Sequence, residues 1–242
     1  MKRARTFVER LWPRRRVKVL AFTCSARRPL MLRHCILQIR QQTYPTDHVI
    51  YVNVPEGSDA EMALVDYSAL LDDVSRGSRT RIRIAHGQSG TLHKNFVSAL
   101  RLIDVEEYDI FLKVDDDDIY MRNYTKEIVD DFQIRKWDYS GTSSWGILNG
   151  FRWNRDMPLS DLGLAEEDLA LGVPKVMPPS VAFSRKAINS VLTLSDEDGF
   201  EDIRWRRHLA SAPAMVLATR RDRNFVYNIH GGNVSTGTSF KP

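Results

Sequence analysis

The sequence predicts an α/β fold in which a mostly parallel central sheet is covered by helices on both faces. Short runs rich in Val, Ile and Leu alternate along the chain with segments whose apolar residues recur at helical spacing. Such alternation is typical of a parallel sheet whose strands are joined through helices. With 242 residues and a hydrophobic fraction of 43%, the chain can bury one large core.

The predicted elements follow one another along the chain in this alternating order. Strands are predicted at 17–25, 48–54, 81–86, 109–114, 175–184 (interrupted by a turn), 214–220 and from 224 onward. Helices are predicted at 31–43, 60–74, 91–104, 122–133, 185–194 and 200–212. Residues 137–180 are rich in Gly, Ser, Asn and Trp, and we expect irregular structure over most of that stretch.

Local sequence features explain several of these predicted elements. The strand at 17–25 is a buried-type apolar run that ends in small polar residues. In the first helix, the apolar residues at 31, 32, 35, 36 and 39 share one face, and the pair Tyr44-Pro45 ends it. The strand at 81–86 alternates and closes in the turn GQSG. The helix at 200–212 opens with acidic residues, which favour a helix N-terminus.

Positive charge is concentrated at the N-terminus. Residues 1–18 contain eight Lys or Arg and one Glu, a net charge of +7. Because the whole chain has a net charge of +4, the remaining residues carry about −3. We therefore predict a basic amphipathic arm over residues 1–16 and one domain over residues 17–242. Two interpretations of the arm stay open, contact with an anionic membrane surface and a solvated tail. Nucleic acid is not expected as a partner, because the rest of the chain offers no basic surface.

The composition favours a cytoplasmic protein. No apolar stretch approaches the roughly 20 residues that span a bilayer, and no apolar segment of secretory type follows the basic N-terminus. Two cysteines, Cys24 and Cys35, form no disulfide framework and are expected to be reduced thiols. We expect a cytoplasmic location, with the arm allowing peripheral attachment to the inner face of the membrane.

Four consecutive carboxylates, Asp115–Asp118, follow the apolar strand at 109–114. Ligands of parallel α/β sheets bind beyond the carboxyl ends of strands, and this run lies at such an end. Side chains alternate along a strand, so Asp115 and Asp117 are expected on one face and Asp116 and Asp118 on the other, with Asp118 able to swing back if the chain turns. Unscreened carboxylates favour a hard divalent cation, Mg²⁺ or Mn²⁺, with phosphate and water completing its shell.

Other acidic motifs fit poorly. An EF-hand loop starting at Asp115 would need Gly and Glu where Tyr120 and Lys126 stand. A DDxxD diphosphate motif fails because Ile119 occupies its last position. A solvated acidic turn before a helix remains the structural alternative to a cation site.

The segment KVDDDDIY resembles the D-x-D site of nucleotide-sugar glycosyltransferases with the GT-A fold. Four other segments are similar to the family-two inverting enzymes in the same chain order. They are TCSARRPLMLRHCILQIRQQTYP (23–45), GQSGTLHKNFVSAL (87–100), FEDIRWRRHL (200–209) and YNIHGGNVS (227–235). Together the five segments span the domain from its first strand to the glycine-rich C-terminal stretch.

This resemblance implies roles for individual residues. The donor site would be lined by Thr23, Ser25, Arg28, Asn53, Lys94, Asn95, Asp115 and Asp116, with Asp115 contacting the ribose or the metal. The cation bridging the donor diphosphate would be held by Asp117, Asp118 and His230. Asp202 would be the catalytic base. Asn53 stands where the family commonly has Asp, which leaves the nucleotide open.

For two of these residues a purely structural role is the alternative to the implied one. Asp202 could be a carboxylate stabilised by a helix dipole, and His230 could be a structural or exposed histidine.

The resemblance implies metal-dependent transfer of a sugar from a nucleotide-sugar donor to a saccharide or lipid-linked acceptor, with inversion, in surface polysaccharide synthesis. A nucleotidyltransferase is an alternative, although TCSARRP lacks the glycines of a phosphate loop. A catalytically silent scaffold that binds sugar nucleotides is another.

Overall fold

The computed structural model describes residues 15–26, 28–54, 80–88, 90–143, 145–147, 152–154, 165–195, 201–220 and 224–227. The predicted helix at 60–74, most of the predicted arm and His230 lie outside these described residues. Predictions about them therefore stay predictions.

The helices and strands of the described residues follow the expected alternation. The strands are β1 (Val19–Ser25), β2 (Thr46–Val54), β3 (Ile82–Gln88), β4 (Ile110–Lys113), β5 (Ile119–Tyr120), β6 (Tyr139–Thr142), β7 (Trp145–Ile147), β8 (Arg152–Asn154), β9 (Ala182–Ser184), β10 (Leu217–Arg220) and β11 (Phe225–Tyr227). The α-helices are α1 (Pro29–Arg40), α2 (Leu92–Leu100), α3 (Tyr124–Arg135), α4 (Glu166–Ala170), α5 (Arg185–Val191) and α6 (Glu201–Ser211), and 3₁₀ helices cover Val105–Glu107 and Pro178–Ser180.

Seven strands form the central sheet in the order β10-β6-β9-β4-β1-β2-β3. All neighbouring pairs are parallel except those of β9, which runs antiparallel to β4 and β6. A smaller sheet has the order β5-β11-β7-β8. The predicted mostly parallel α/β sheet is therefore confirmed, with one antiparallel strand inserted beside the centre.

Helices cover both faces of the central sheet. On one face Ala21 and Leu112 pack into a buried cluster with residues of α1 and α3. On the other, Phe22 and Phe111 pack with residues of α2, α5 and α6. Because β1 and β4 are covered on both sides, their sequences read as continuous apolar runs. None of the helices in the described ranges combines the length and the apolar character needed to cross a membrane.

The first helix ends earlier than predicted. It stops at Arg40 instead of residue 43. The backbone N–H of Thr43 donates to the carbonyl of Arg122 at 2.9 Å, so this residue bonds a distant segment of the chain instead of its own helix. The long-range hydrogen bond outweighs the local helical preference.

The expectation of irregular structure over 137–180 is wrong for Tyr139–Thr142, which form β6 inside the central sheet. This strand lacks an apolar run, and its Ser140 and Thr142 side chains are buried. Gly141 is required by close packing, since a Cβ there would lie 2.7 Å from a methyl carbon of Val176. Small residues let the strand pack tightly, and they also hide it from sequence patterns.

His48 on β2 is buried, and its Nε2 lies 2.8 Å from the hydroxyl of Thr23. Burial lowers the pKa of His48 to about 3, whereas an exposed histidine has a pKa of about 6.5. The unfolded chain therefore binds a proton that the folded chain excludes, and stability falls as pH drops from about 6.5 toward 3. His48→Gln is expected to remove up to about 1.4 kcal/mol per pH unit from this slope.

Urea unfolding of both proteins at a series of pH values across this range measures the effect. His34→Gln, at an exposed position on α1, is the matched control for replacing a histidine by glutamine. Equal slopes for wild type and His48→Gln would show that His48 does not titrate as described.

Candidate functional site

The four aspartates lie where β4 leaves the sheet, and their burial alternates. Asp116 and Asp118 are buried, whereas Asp115 and Asp117 are half-buried, with 34% and 10% of their side chains exposed. The burial alternates, but the chain turns at Asp116 and Asp117, so the run is not a strand and the expected strand-like alternation of faces is wrong. Asp115 and Asp117 are the carboxylates of this run that a ligand at the sheet edge could reach.

A first cation, Arg28, faces the aspartates from the loop between β1 and α1. Its Nη2 lies 2.7 Å from Asp116 Oδ1, and its Nη1 donates to Asp117 Oδ2 at 2.5 Å. The hydroxyl of Ser25, at the end of β1, donates to the other oxygen of Asp116 at 2.5 Å. Burial raises the pKa of Asp116 to about 6, against the opposing effects of Ser25 and Arg28.

A second cation, Lys113, is the last residue of β4 and faces two carboxylates. Its Nζ donates to both oxygens of Asp115, at 2.8 and 2.9 Å, and lies 3.7 Å from Asp202 Oδ1. Burial alone would lower the pKa of Lys113, but Asp115 and Asp202 outweigh burial and raise this pKa above its ordinary value. The side chain is therefore an ammonium cation at neutral pH, and it joins the aspartate run to α6.

Asp202 is the second residue of α6, and 21% of its side chain is exposed. Its backbone carbonyl accepts from Nε of Arg206, a buried arginine one turn later in the same helix. Trp205 anchors that turn, because its indole N–H donates to His93 Nδ1 at 3.1 Å. These hydrogen bonds stabilise the first turns of the helix, and its N-terminal carboxylate lies beside Lys113 of the aspartate group.

Two side chains shape the turn that follows the aspartates. Gln38 of α1 accepts from the backbone N–H of Tyr120 at 2.5 Å, and its amide donates to the carbonyl of Asp118 at 3.4 Å. The Tyr120 hydroxyl accepts from the backbone N–H of Asp115 at 2.8 Å and donates to the carbonyl of Pro179 at 3.2 Å. Asp118 is buried beside this turn, and a swing of its side chain toward the other carboxylates stays a prediction.

The remaining predicted donor-site residues are spread along neighbouring strand ends. Asn53 lies near the carboxyl end of β2, and Lys94 and Asn95 lie in the first turn of α2, which follows β3. Lys94 is exposed; Asn95 is buried and donates to the carbonyl of Gly90 at 3.3 Å. Asn95 Oδ1 is buried without a hydrogen-bond partner among the described residues, so it could accept from a ligand.

Thr23 lies within β1, two residues before Ser25. Its buried hydroxyl lies between His48 Nε2 at 2.8 Å and Cys35 Sγ at 3.7 Å. Both cysteines are free thiols, as expected. Among the predicted site residues, direct contacts join Ser25, Arg28, Asp116 and Asp117 into one group. Asp115 and Asp202 form a second group through Lys113.

Sequence reasoning missed Lys113, Gln38 and Tyr120. Of the three, Lys113 could have been found from the sequence, since a lysine inside a buried strand pattern needs an acidic partner. Gln38 and Tyr120 left no such signal, because both lie at positions where a helix or a strand would tolerate many residues.

Carboxylates are the donor type that a hard divalent cation prefers. The expectation that they are unscreened is wrong, because Arg28 pairs with Asp116 and Asp117 and Lys113 pairs with Asp115. No group of three or more His, Cys, Asp or Glu side chains in the described ranges could hold a metal by itself. Asp115 and Asp117 could supply one or two ligands, and donor phosphates or residues outside the described part of the chain would have to supply the others. The donor set therefore fits a cation that arrives with a phosphorylated ligand.

A cleft of about 500 Å³ lies elsewhere, lined by residues such as Asp109, Trp137 and Asp138. Asp109 precedes β4, and Trp137 and Asp138 precede β6, so the cleft lies at the amino-terminal edge of the sheet. None of the predicted site residues lines this cleft.

The architecture is shared with solved glycosyltransferase structures. S. aureus TarS (residues 1–349) in complex with UDP-GlcNAc matches with a TM-score of 0.61 and 14% identity, over 93% of this chain and 62% of that one. The mannosyltransferase PcManGT from Pyrobaculum calidifontis, in complex with GDP-Man and Mn²⁺, matches with a TM-score of 0.62 and 12% identity, over 89% and 58%. Glucosyl-3-phosphoglycerate synthase from Mycobacterium tuberculosis, with Mn²⁺, UDP-Glc and phosphoglyceric acid, matches with a TM-score of 0.53 and 12% identity, over 88% and 72%.

No protein-family model and no curated protein matches the sequence. The chain spans only 37–62% of the TarS chains that it matches. At 12–14% identity, these structural similarities establish the fold, and the predicted GT-A fold is confirmed.

Proposed function

We propose that this protein transfers a sugar from a nucleotide-sugar donor to an acceptor hydroxyl. The observation that carries the proposal is that two charged groups lie at one edge of a GT-A sheet: Lys113 pairs with Asp115 and lies beside Asp202, and Arg28 pairs with Asp117. Three structures that share the fold contain UDP-GlcNAc, GDP-Man or UDP-Glc, which supports a nucleotide sugar as the donor.

In the proposed reaction the acceptor oxygen attacks the anomeric carbon of the donor sugar. The new C–O bond forms as the bond to the diphosphate oxygen breaks, and the electron pair of that bond leaves with the nucleoside diphosphate. Asp202 takes the proton of the acceptor hydroxyl, which makes that oxygen a better nucleophile. A single displacement inverts the configuration at the anomeric carbon.

The chain would hold the donor through two sets of side chains. Asp115 and Asp117 would hold Mn²⁺ or Mg²⁺ on the diphosphate, with Asp118 and His230 remaining predicted ligands. When bound, the cation would neutralise negative charge on the leaving group. Asn53, Lys94 and Asn95 would contact the nucleotide, which is consistent with the buried acceptor oxygen of Asn95.

The acceptor and the cellular setting are proposals of the same kind. We propose a saccharide or lipid-linked acceptor in surface polysaccharide synthesis at the cytoplasmic face of the membrane. The eight Lys or Arg residues of the first 18 support attraction to anionic lipid.

Calorimetry with UDP-GlcNAc, UDP-Glc and GDP-Man, with and without Mn²⁺, tests donor binding. One of the three is expected to bind, and more tightly with Mn²⁺. Asp117→Asn should weaken that binding by roughly 10–100-fold, because a charge-assisted interaction contributes about 1.5–3 kcal/mol, and it should abolish the Mn²⁺ effect.

Asp130→Asn is the matched control, since Asp130 is an exposed acid on α3 that pairs with Lys126. Unchanged nucleotide affinity and unchanged Mn²⁺ dependence in Asp117→Asn would contradict the proposed donor site. Release of pyrophosphate from a nucleoside triphosphate would indicate a nucleotidyltransferase instead. Donor binding without any turnover would indicate a silent scaffold.

A further inference from the structure

Lys113 occupies an unusual place for a lysine. It ends β4, which lies fourth of the seven strands of the central sheet, and only 5% of its side chain is exposed. Its backbone N–H donates to the carbonyl of Val181 at 3.0 Å, which holds the residue within the sheet. A buried ammonium group is costly unless acidic partners surround it, so its position depends on those partners.

The two acidic partners of Lys113 lie far apart from each other in the sequence. Asp115 lies two residues later, and both of its oxygens accept from Nζ. Asp202 lies on α6, with its Oδ1 3.7 Å from Nζ. That oxygen is buried and has no hydrogen-bond partner among the described residues, so the ammonium is its nearby compensating charge.

Without a cation between them, the carboxylates of Asp115 and Asp202 would repel each other in a partly desolvated space. Asp202 lies at the N-terminus of its helix and is 21% exposed, so its side chain could rotate toward solvent. The ammonium of Lys113 opposes that rotation, because it attracts the base carboxylate toward the edge where the donor would lie.

We propose that Lys113 is a positioning residue that holds the Asp202 carboxylate against the donor site. The inference rests on the proposed function, since it assigns Lys113 the task of orienting the base of that reaction. Lys113 itself need not touch the substrate. Its effect is transmitted through Asp202.

The test uses the full-length protein with Mn²⁺ and whichever of UDP-GlcNAc, UDP-Glc and GDP-Man binds best, and it measures release of nucleoside diphosphate with water as acceptor. Lys113→Met keeps an unbranched side chain that is one atom shorter and removes the charge. It should lower kcat roughly 10–100-fold, the range expected when a reacting group is misplaced by about 1 Å. Lys113→Arg should recover most of that loss.

A double-mutant comparison separates positioning from a general structural defect. In an Asp202→Asn background, Lys113→Met should cause no further loss of kcat, because the base that it positions is gone. A further tenfold loss would overturn the inference. So would a wild-type kcat in Lys113→Met, or a loss confined to donor affinity, which would mean that Lys113 acts only through Asp115.

Lys126→Met, which removes a lysine from an exposed ion pair with Asp130, is the control and should keep wild-type kcat. If Lys113→Met fails to fold, Lys113→Gln is compared with Lys113→Arg by the same criteria. Absence of turnover by the wild type with all three donors would overturn the proposed function and this inference together. Turnover by the wild type with unchanged kcat in the Lys113 variants would overturn the inference alone.

Discussion

Asp202→Asn is expected to lower the rate of sugar transfer by a factor of about 10²–10⁴, the range typical for loss of a general base. Asparagine matches the shape of aspartate but cannot accept a proton at neutral pH. The donor contacts proposed for Asp115 and Asp117 remain, so nucleotide affinity should stay close to that of the wild type. Steady-state release of nucleoside diphosphate measures the rate, and calorimetry measures the affinity.

The matched control is Asp168→Asn. Asp168 is also a carboxylate in the first turn of a helix, where it accepts from the backbone N–H of Ala165 and pairs with Arg207 of α6. The bonds from Arg207 and Ala165 lower the pKa of Asp168 to about 2. This variant should lose some stability and keep kcat. If Asp202→Asn behaves in the same way, Asp202 only stabilises its helix and the base assignment is wrong.

Trp205→Ala is expected to cost about 3–5 kcal/mol of unfolding free energy, the usual range for deleting a buried large aromatic side chain. Trp205 is 1% exposed and lies 4.9 Å from Phe96 and 5.9 Å from Phe183, measured between ring centroids. Its loss opens a cavity between α6, α2 and the sheet. For a chain of this length the melting temperature should fall by roughly 6–20 °C, and urea unfolding gives the free energy directly.

One further variant separates the lost hydrogen bond from the lost packing, and another is a surface control. Trp205→Phe keeps an aromatic ring but removes the donor to His93 Nδ1, and leaving that buried acceptor unpaired should cost about 1–3 kcal/mol. Ile134→Ala, at a side chain that is 80% exposed, should change stability very little. A loss below about 1 kcal/mol for Trp205→Ala would mean that Trp205 does not anchor α6 as described, since a buried aromatic normally contributes more.

The sequence predicted the local features well, because they depend on patterns that tertiary context seldom reverses. Continuous apolar runs predicted the buried strands β1 and β4. The four carboxylates Asp115–Asp118 were predicted to follow the strand that forms β4, and they do. Chain order at a strand end placed these carboxylates at the carboxyl-terminal edge of the sheet, where α/β folds generally bind ligands.

Features that depend on packing against distant segments escaped prediction. Strand β6 was missed because its Ser140, Gly141 and Thr142 carry no apolar signal, and they are buried only because β9 and β10 flank them. The antiparallel direction of β9 has the same origin. Hydrogen bonding to β4 and β6 decides it, and nothing in the local sequence does.

By itself, the sequence determined the fold class, the acidic run at the end of β4 and the candidate base on a late helix. The tertiary structure decided which charges meet. It put Arg28 against Asp116 and Asp117, and Lys113 between Asp115 and Asp202. Spacing along a chain fixes the face on which a side chain lies, but only the packing of whole helices on the sheet fixes distances between residues far apart in sequence. The charge pairs within the site depend on such distances, so the tertiary structure decided them.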